Sequence, residues 1–151
     1  MKFLTTIIGL GVAAGLLLST RTVPVLASEG QSGDVHITKE CSQYTGAPGS
    51  FCTITSSNLP QIPAGTKVYY DQAAGIPAGM LDSNVVLRVG QADWAVGRCT
   101  LDGNTGAGIC RFSDGVGPLT GFSARVVVTH TGGPNYTWNG SYHFNGQEDH
   151  Q

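Results

Sequence analysis

Seven polar side chains interrupt otherwise apolar or β-branched stretches of this chain: Tyr69, Tyr70, Asp71, Asp82, Arg98, Arg111 and Arg125. A planar guanidinium lining a cavity pairs with a carboxylate or enolate through two parallel hydrogen bonds. A tyrosine there donates to a developing oxyanion. On the outer face of a half-buried strand the same residues simply meet solvent, which is the commoner arrangement. Arg98 is the residue best placed for a cavity, because Trp94 and Val96 share its parity. The expected ligand-binding set is Arg98, Trp94, Tyr70, Asp82, Arg111 and Trp138, with no catalytic residue assigned.

Other chemistries find less support. His130 and His143 lie in a Gly132-Gly133 hairpin region, without the His/Cys/carboxylate spacing of a zinc or iron site. No metal and no cofactor are expected. There is no Gly-x-Ser-x-Gly, and Ser123 beside Arg125 has no positioned base. Gly115-x-Gly117 is followed by neither a lysine nor a helix start, so it is not a phosphate loop. The cysteines, Cys41, Cys52, Cys99 and Cys110, form two brackets of equal length. An even count in an exported chain argues for disulfides, here Cys41–Cys52 and Cys99–Cys110, because local pairing closes the shortest loops.

Export is read from the N-terminus. Lys2 precedes a long apolar run without an acidic residue, and Val25 and Ala27 stand at the small-residue positions of a cleavage site. Residues 1–27 are expected to be a signal peptide cut after Ala27, with an uncleaved anchor as the alternative. The mature protein would carry no membrane anchor and would be secreted, extracellular or periplasmic. Lys2 and Arg21 are two of the eight basic residues, so the remaining six face ten acidic ones, a formal net charge of −4. That charge, without a basic run, disfavours nucleic acid and anionic lipid.

Residues 28–151 suit one domain. Short β-branched or aromatic stretches recur between Gly, Pro, Asn and Asp punctuation, the pattern of an all-β fold. Strands are expected at Asp34–Glu40, Cys52–Ser57, Thr66–Gln72, Asp82–Val89, Ala92–Leu101, Ala107–Ser113, Leu119–Thr131 and Tyr136–Phe144. Short connections favour antiparallel neighbours, and closure into an eight-stranded antiparallel up-and-down barrel removes edge strands. An open sandwich is the runner-up.

Pairing Cys99 with Cys110 sets Arg98 opposite Arg111, Leu101 opposite Gly108, and the turn at Asn104-Thr105. Facing arginines repel unless an acid or an anion intervenes. A two-residue turn at Gly90-Gln91 would put Arg98 opposite Ser83, and a one-residue shift would bring Asp82 or Asn84 there instead. Phe122, Ala124, Val126 and Val128 share one face of the longest strand, whose Val126-Val127-Val128 run suits cover on both faces. Tyr136, Trp138, Gly140, Tyr142 and Phe144 form an aromatic row that is core or cavity wall.

The run Asp114-Gly115-Val116-Gly117-Pro118-Leu119-Thr120-Gly121-Phe122-Ser123-Ala124-Arg125-Val126 resembles the Gly-x-Gly-x-apolar-x-Gly turn and strand of the allene oxide cyclase and dirigent barrels. The wider pattern resembles secreted bacterial relatives of that barrel and covers Val35 to Phe144. It runs from Cys52-Thr53-Ile54-Thr55-Ser56-Ser57 through Tyr69-Tyr70 and Asp82-Ser83-Asn84-Val85-Val86-Leu87 to the Cys99/Cys110 hairpin. The resemblance implies an eight-stranded antiparallel barrel with a central cavity, often trimeric. It also implies binding of an apolar small molecule, with cofactor-free cyclisation, isomerisation or radical coupling in enzymatic members. No member's catalytic residues carry over, because no match by position extends beyond the turn and strand. The other reading is a non-enzymatic secreted or cell-envelope module that meets a protein or glycan through its surface.

Overall fold

The computed structural model describes residues 30–75 and 78–145. The signal-peptide expectation for residues 1–27 lies outside the described residues. Strands β1 (Ser32–Glu40), β2 (Phe51–Ser57), β3 (Lys67–Tyr70), β4 (Met80–Arg88), β5 (Trp94–Asp102), β6 (Gly108–Gly115), β7 (Phe122–Gly132) and β8 (Asn135–Phe144) pair in chain order. The last closes on the first, from Ser32 opposite His143 to Glu40 opposite Asn135. The protein is a closed eight-stranded antiparallel barrel with both expected disulfides, Cys41–Cys52 and Cys99–Cys110. Closure leaves no unpaired strand edge for another chain to extend.

Alternation of period two selects the inside of the barrel. Val35 and Ile37 of β1, Cys52 and Ile54 of β2, Val85 and Leu87 of β4, Cys99 of β5, Cys110 and Phe112 of β6, Phe122, Val126 and Val128 of β7 and Trp138 of β8 are all buried. Leu59 and Ile62, from the β2–β3 connection, and Leu119 are buried with them. Val35, Ile62, Leu87, Phe112, Phe122 and Trp138 fill one half of the barrel, with the Phe112 ring 5.5 Å from Trp138 and 6.1 Å from Phe122 between centroids. Burying each large apolar side chain contributes about 1.5–3 kcal/mol. Gly97 makes room for this packing, since a Cβ there would meet the Arg111 carbonyl and the Phe112 ring.

The cysteine hairpin has the expected register, with Cys99 opposite Cys110, Arg98 opposite Arg111 and Leu101 opposite Gly108. Between β4 and β5, Arg98 stands opposite Asn84, so the tight Gly90-Gln91 turn gives way to a longer loop. Two expectations need correction. The strand expected from Leu119 begins at Phe122, because Pro118 sits in a 3-10 turn over Gly117–Leu119 and Gly121 takes a positive φ of 71°. The outer face of β7 is also uncovered, and Val127 is 45% exposed.

Candidate functional site: a buried lysine at the barrel mouth

β1 places Val35, Ile37 and Lys39 on one inward row. The third position is a lysine, only 4% exposed. It shares the Trp138 ring with the Phe112–Phe122 packing, since that ring contacts both Phe112 and the Lys39 amine. Its Nζ donates to Tyr70 Oη at 2.6 Å. Three aromatic faces surround it, with ring centroids 4.6 Å away at Trp138, 5.3 Å at Tyr70 and 5.5 Å at Tyr136.

Among the described residues no carboxylate pairs with Lys39; the ion pair found there joins Arg98 to Asp82. Burial without a counter-charge disfavours the ammonium form and lowers the Lys39 pKa to about 7. Burial first, then the neighbouring phenols of Tyr44 and Tyr136, push Tyr70 above the usual tyrosine range. The contact is therefore between an amine that titrates near neutrality and a phenol that stays neutral.

A small cavity of about 30 Å³ adjoins this pair. Holding one water takes about 10–15 Å³, so the space suits a head group rather than a whole hydrophobic ligand. Tyr44, Tyr70, Tyr136, Leu81, Leu101 and Val128 line it together with both disulfides. Cys41, Tyr44, Leu101 and Tyr136 are half-buried and form its rim. The two disulfides thus tie down the strand ends around this mouth. Tyr44 Oη is buried with no hydrogen-bond partner, a disfavoured state for a phenol unless something else enters the space. Burial, then Tyr136, raises the Tyr44 pKa, so it too is a neutral donor.

The six expected binding residues divide between the two faces. Tyr70 and Trp138 are inside, 3% and 1% exposed, and both contact Lys39. Arg98, Asp82, Arg111 and Trp94 are outside. The cavity role expected of Arg98 is corrected: its side chain is 63% exposed, and Nε and Nη2 donate to the Asp82 carboxylate at 2.8 and 2.7 Å. These bonds hold Asp82 below its usual carboxylate range. Arg111 stands between Arg98 and Arg125 in register, both it and Arg125 exposed. Trp94 is half-buried on that same outer parity, because Ala95, Cys99 and Leu101 take the inside of β5.

Sequence reasoning missed Lys39 and Tyr44, and had Tyr136 only as part of an aromatic row of core or cavity wall. The signal for Lys39 was the Val35-x-Ile37-x-Lys39 alternation, which continues an apolar row with an amine. His130 does not line the pocket: its ring packs 5.0 Å from that of Tyr136, and its Nε2 lies 2.8 Å from the Gly133 carbonyl. Among the described residues no three His, Cys, Asp or Glu side chains gather as a metal-ligand set. The donors at the mouth are one amine and three phenols, a set suited to an oxygen-bearing organic head group. In comparisons with known proteins, no family model, no curated protein and no solved structure matches this chain.

Proposed function

We propose that the protein is an exported barrel that binds a small, mainly apolar molecule at the Lys39 mouth, taking its oxyanion or carbonyl head against Lys39, Tyr70 and Tyr44. One observation carries this reading: a buried amine without a carboxylate partner shares a cavity with a buried, unpartnered phenol oxygen. An anionic head supplies the missing counter-charge and satisfies Tyr44 in one step. The apolar tail would extend outward past the half-buried rim of Tyr44, Leu101 and Tyr136.

The amine and phenol also form a proton acceptor and donor 2.6 Å apart. That pair is the minimum equipment for a cofactor-free isomerisation or cyclisation of the kind the allene oxide cyclase and dirigent resemblance implies. Kinship with those barrels, and the oligomeric state they often show, belong to the same proposal. Disulfides are compatible with an extracellular or periplasmic location, where such bonds persist.

Titration calorimetry with octanoate and octanol tests the reading. Octanoate should bind better than octanol, and Lys39→Met should weaken octanoate about ten- to a hundred-fold, the size of one lost charge-assisted hydrogen bond. Arg98→Met should leave binding unchanged. Equal octanoate affinity in wild type and Lys39→Met would overturn the assignment. The second reading, a non-enzymatic interaction module, draws on a shallow outer groove of about 520 Å³ bordered by Asp71, Asn84, Val96, Arg98, Arg111 and Ser113. It gains if neither probe binds.

A further inference from the structure

We infer that Lys39 is a covalent capture site for small apolar aldehydes, which it takes as an imine within the mouth pocket. The inference rests on the reading that this pocket admits the head of an apolar molecule, and it adds a bond to that binding. Three features of the geometry support it. The pocket lining holds a single primary amine, and among the described residues no carboxylate keeps it protonated. Tyr70 Oη stands 2.6 Å from the amine, where a neutral phenol can donate to a carbonyl oxygen as that oxygen gains charge. The cavity of about 30 Å³ has room for the reacting carbon and oxygen but little else, which favours an aldehyde over a bulkier ketone.

The chemistry balances without a redox partner. The Nζ lone pair attacks the aldehyde carbon, and the carbonyl π pair moves to oxygen. That oxygen takes a proton and the nitrogen loses one, giving a carbinolamine. Loss of water then leaves the carbon–nitrogen double bond, so amine and aldehyde become imine and water. Water leaves through the rim at Tyr44, Leu101 and Tyr136. The faces of Trp138, Tyr70 and Tyr136 stabilise the imine whenever it carries a proton, as they do the ammonium.

The unprotonated amine is the nucleophile, and a Lys39 pKa of about 7 leaves much of it free at pH 7.5. An ordinary lysine with a pKa near 10.4 is only about 0.1% free there. The titratable groups facing Lys39 are the phenols of Tyr44, Tyr70 and Tyr136. The adjacent carboxylate, Glu40, is engaged by the Ser42 backbone N–H.

Octanal with sodium cyanoborohydride, which reduces an imine to a stable secondary amine, provides the test on the whole exported protein. The chain has lysines only at positions 2, 39 and 67, so peptide mapping reads the site cleanly. At pH 7.5 the octyl label should fall on Lys39 in roughly tenfold or greater preference to the exposed Lys67, because so much more of its amine is free. The extent of Lys39 labelling should fall about 25-fold by pH 5.5, as its amine protonates, while that of an ordinary lysine falls about 100-fold, so the preference for Lys39 should persist at the lower pH. Excess octanoate should suppress the Lys39 label. Lys39→Arg should abolish it while leaving labelling of Lys67 and the amino terminus unchanged. The mapping on wild type stands even if that variant folds poorly. Label spread over Lys67 and the amino terminus with Lys39 bare would overturn the imine. If octanoate still binds in that case, the binding reading survives alone; if it does not, both fall.

Discussion

Replacing Lys39 by methionine should change stability in a way that depends steeply on pH. Methionine keeps the length and most of the volume of the side chain, so the packing against Trp138 and Tyr136 is retained. In the folded wild type the pKa of Lys39 is lowered to about 7; in the unfolded chain it returns to about 10.4. Between these values the unfolded state binds more protons than the folded state. Wild-type stability therefore rises with pH through that window, and the penalty for burying the ammonium is full below about pH 7.

From pH 6.5 to pH 9.5 the linkage amounts to about 3 kcal/mol, which the variant lacks. At the lower pH, Lys39→Met should be the more stable protein. At the higher pH wild type should overtake it, because the variant leaves the buried Tyr70 hydroxyl without its amine partner, at about 1–3 kcal/mol. Urea unfolding of both proteins across this range, with disulfides intact, reads the difference directly. Other groups titrate alike in both and cancel. A difference that stays flat from pH 6.5 to 9.5 would refute the reasoning, since it would mean that Lys39 keeps its proton throughout and the cation–π contacts outweigh desolvation.

Val126→Asp should destabilise by more than about 4 kcal/mol, since it buries an unpaired charge at a position 1% exposed. Val127→Asp, one residue on and 45% exposed, should be tolerated; matching melting temperatures for the two would reverse the inside and outside of β7. Non-reducing peptide mapping should find Cys41 joined to Cys52 and Cys99 to Cys110, and deleting either bridge should cost about 3 kcal/mol in chain entropy. Arg98→Ala should raise the Asp82 pKa toward its ordinary value by carboxyl NMR without a detectable change in melting temperature, because the pair is solvent-exposed.

Much of the barrel was legible in the chain because its constraints are local. The Cys99–Cys110 bridge fixes the β5–β6 register, and Phe122-x-Ala124-x-Val126-x-Val128 reveals its inner face by alternation alone. The start of β7 was misplaced because Pro118 and Gly121 are equally at home in a turn and at a strand end. The site was less legible. Trp94 and Val96 drew Arg98 toward the interior, yet the disulfide and the small residues Ala95 and Gly97 belong on the crowded inner side of a closed barrel. Lys39 reads as an ordinary strand-end lysine, whose long stem commonly carries its charge out to water. What buries it is distant in sequence: Tyr70 from β3 and Tyr136 and Trp138 from β8 close over it. The Val35-x-Ile37-x-Lys39 alternation hints at an inward side chain, but it does not report the aromatic enclosure built by distant strands.

The central claim, that an anionic head group sits against the Lys39 amine, is tested most directly by NMR of protein carrying lysine labelled with carbon-13 at Cε, titrated with octanoate at several pH values. With only Lys39 and Lys67 among the described lysines, the two signals are separable and assigned by Lys39→Met. Octanoate should shift the Lys39 signal and raise its pKa from about 7, because a carboxylate beside the amine favours the ammonium. The Lys67 signal should stay still. A Lys39 signal unmoved in shift and titration at saturating octanoate would contradict the claim.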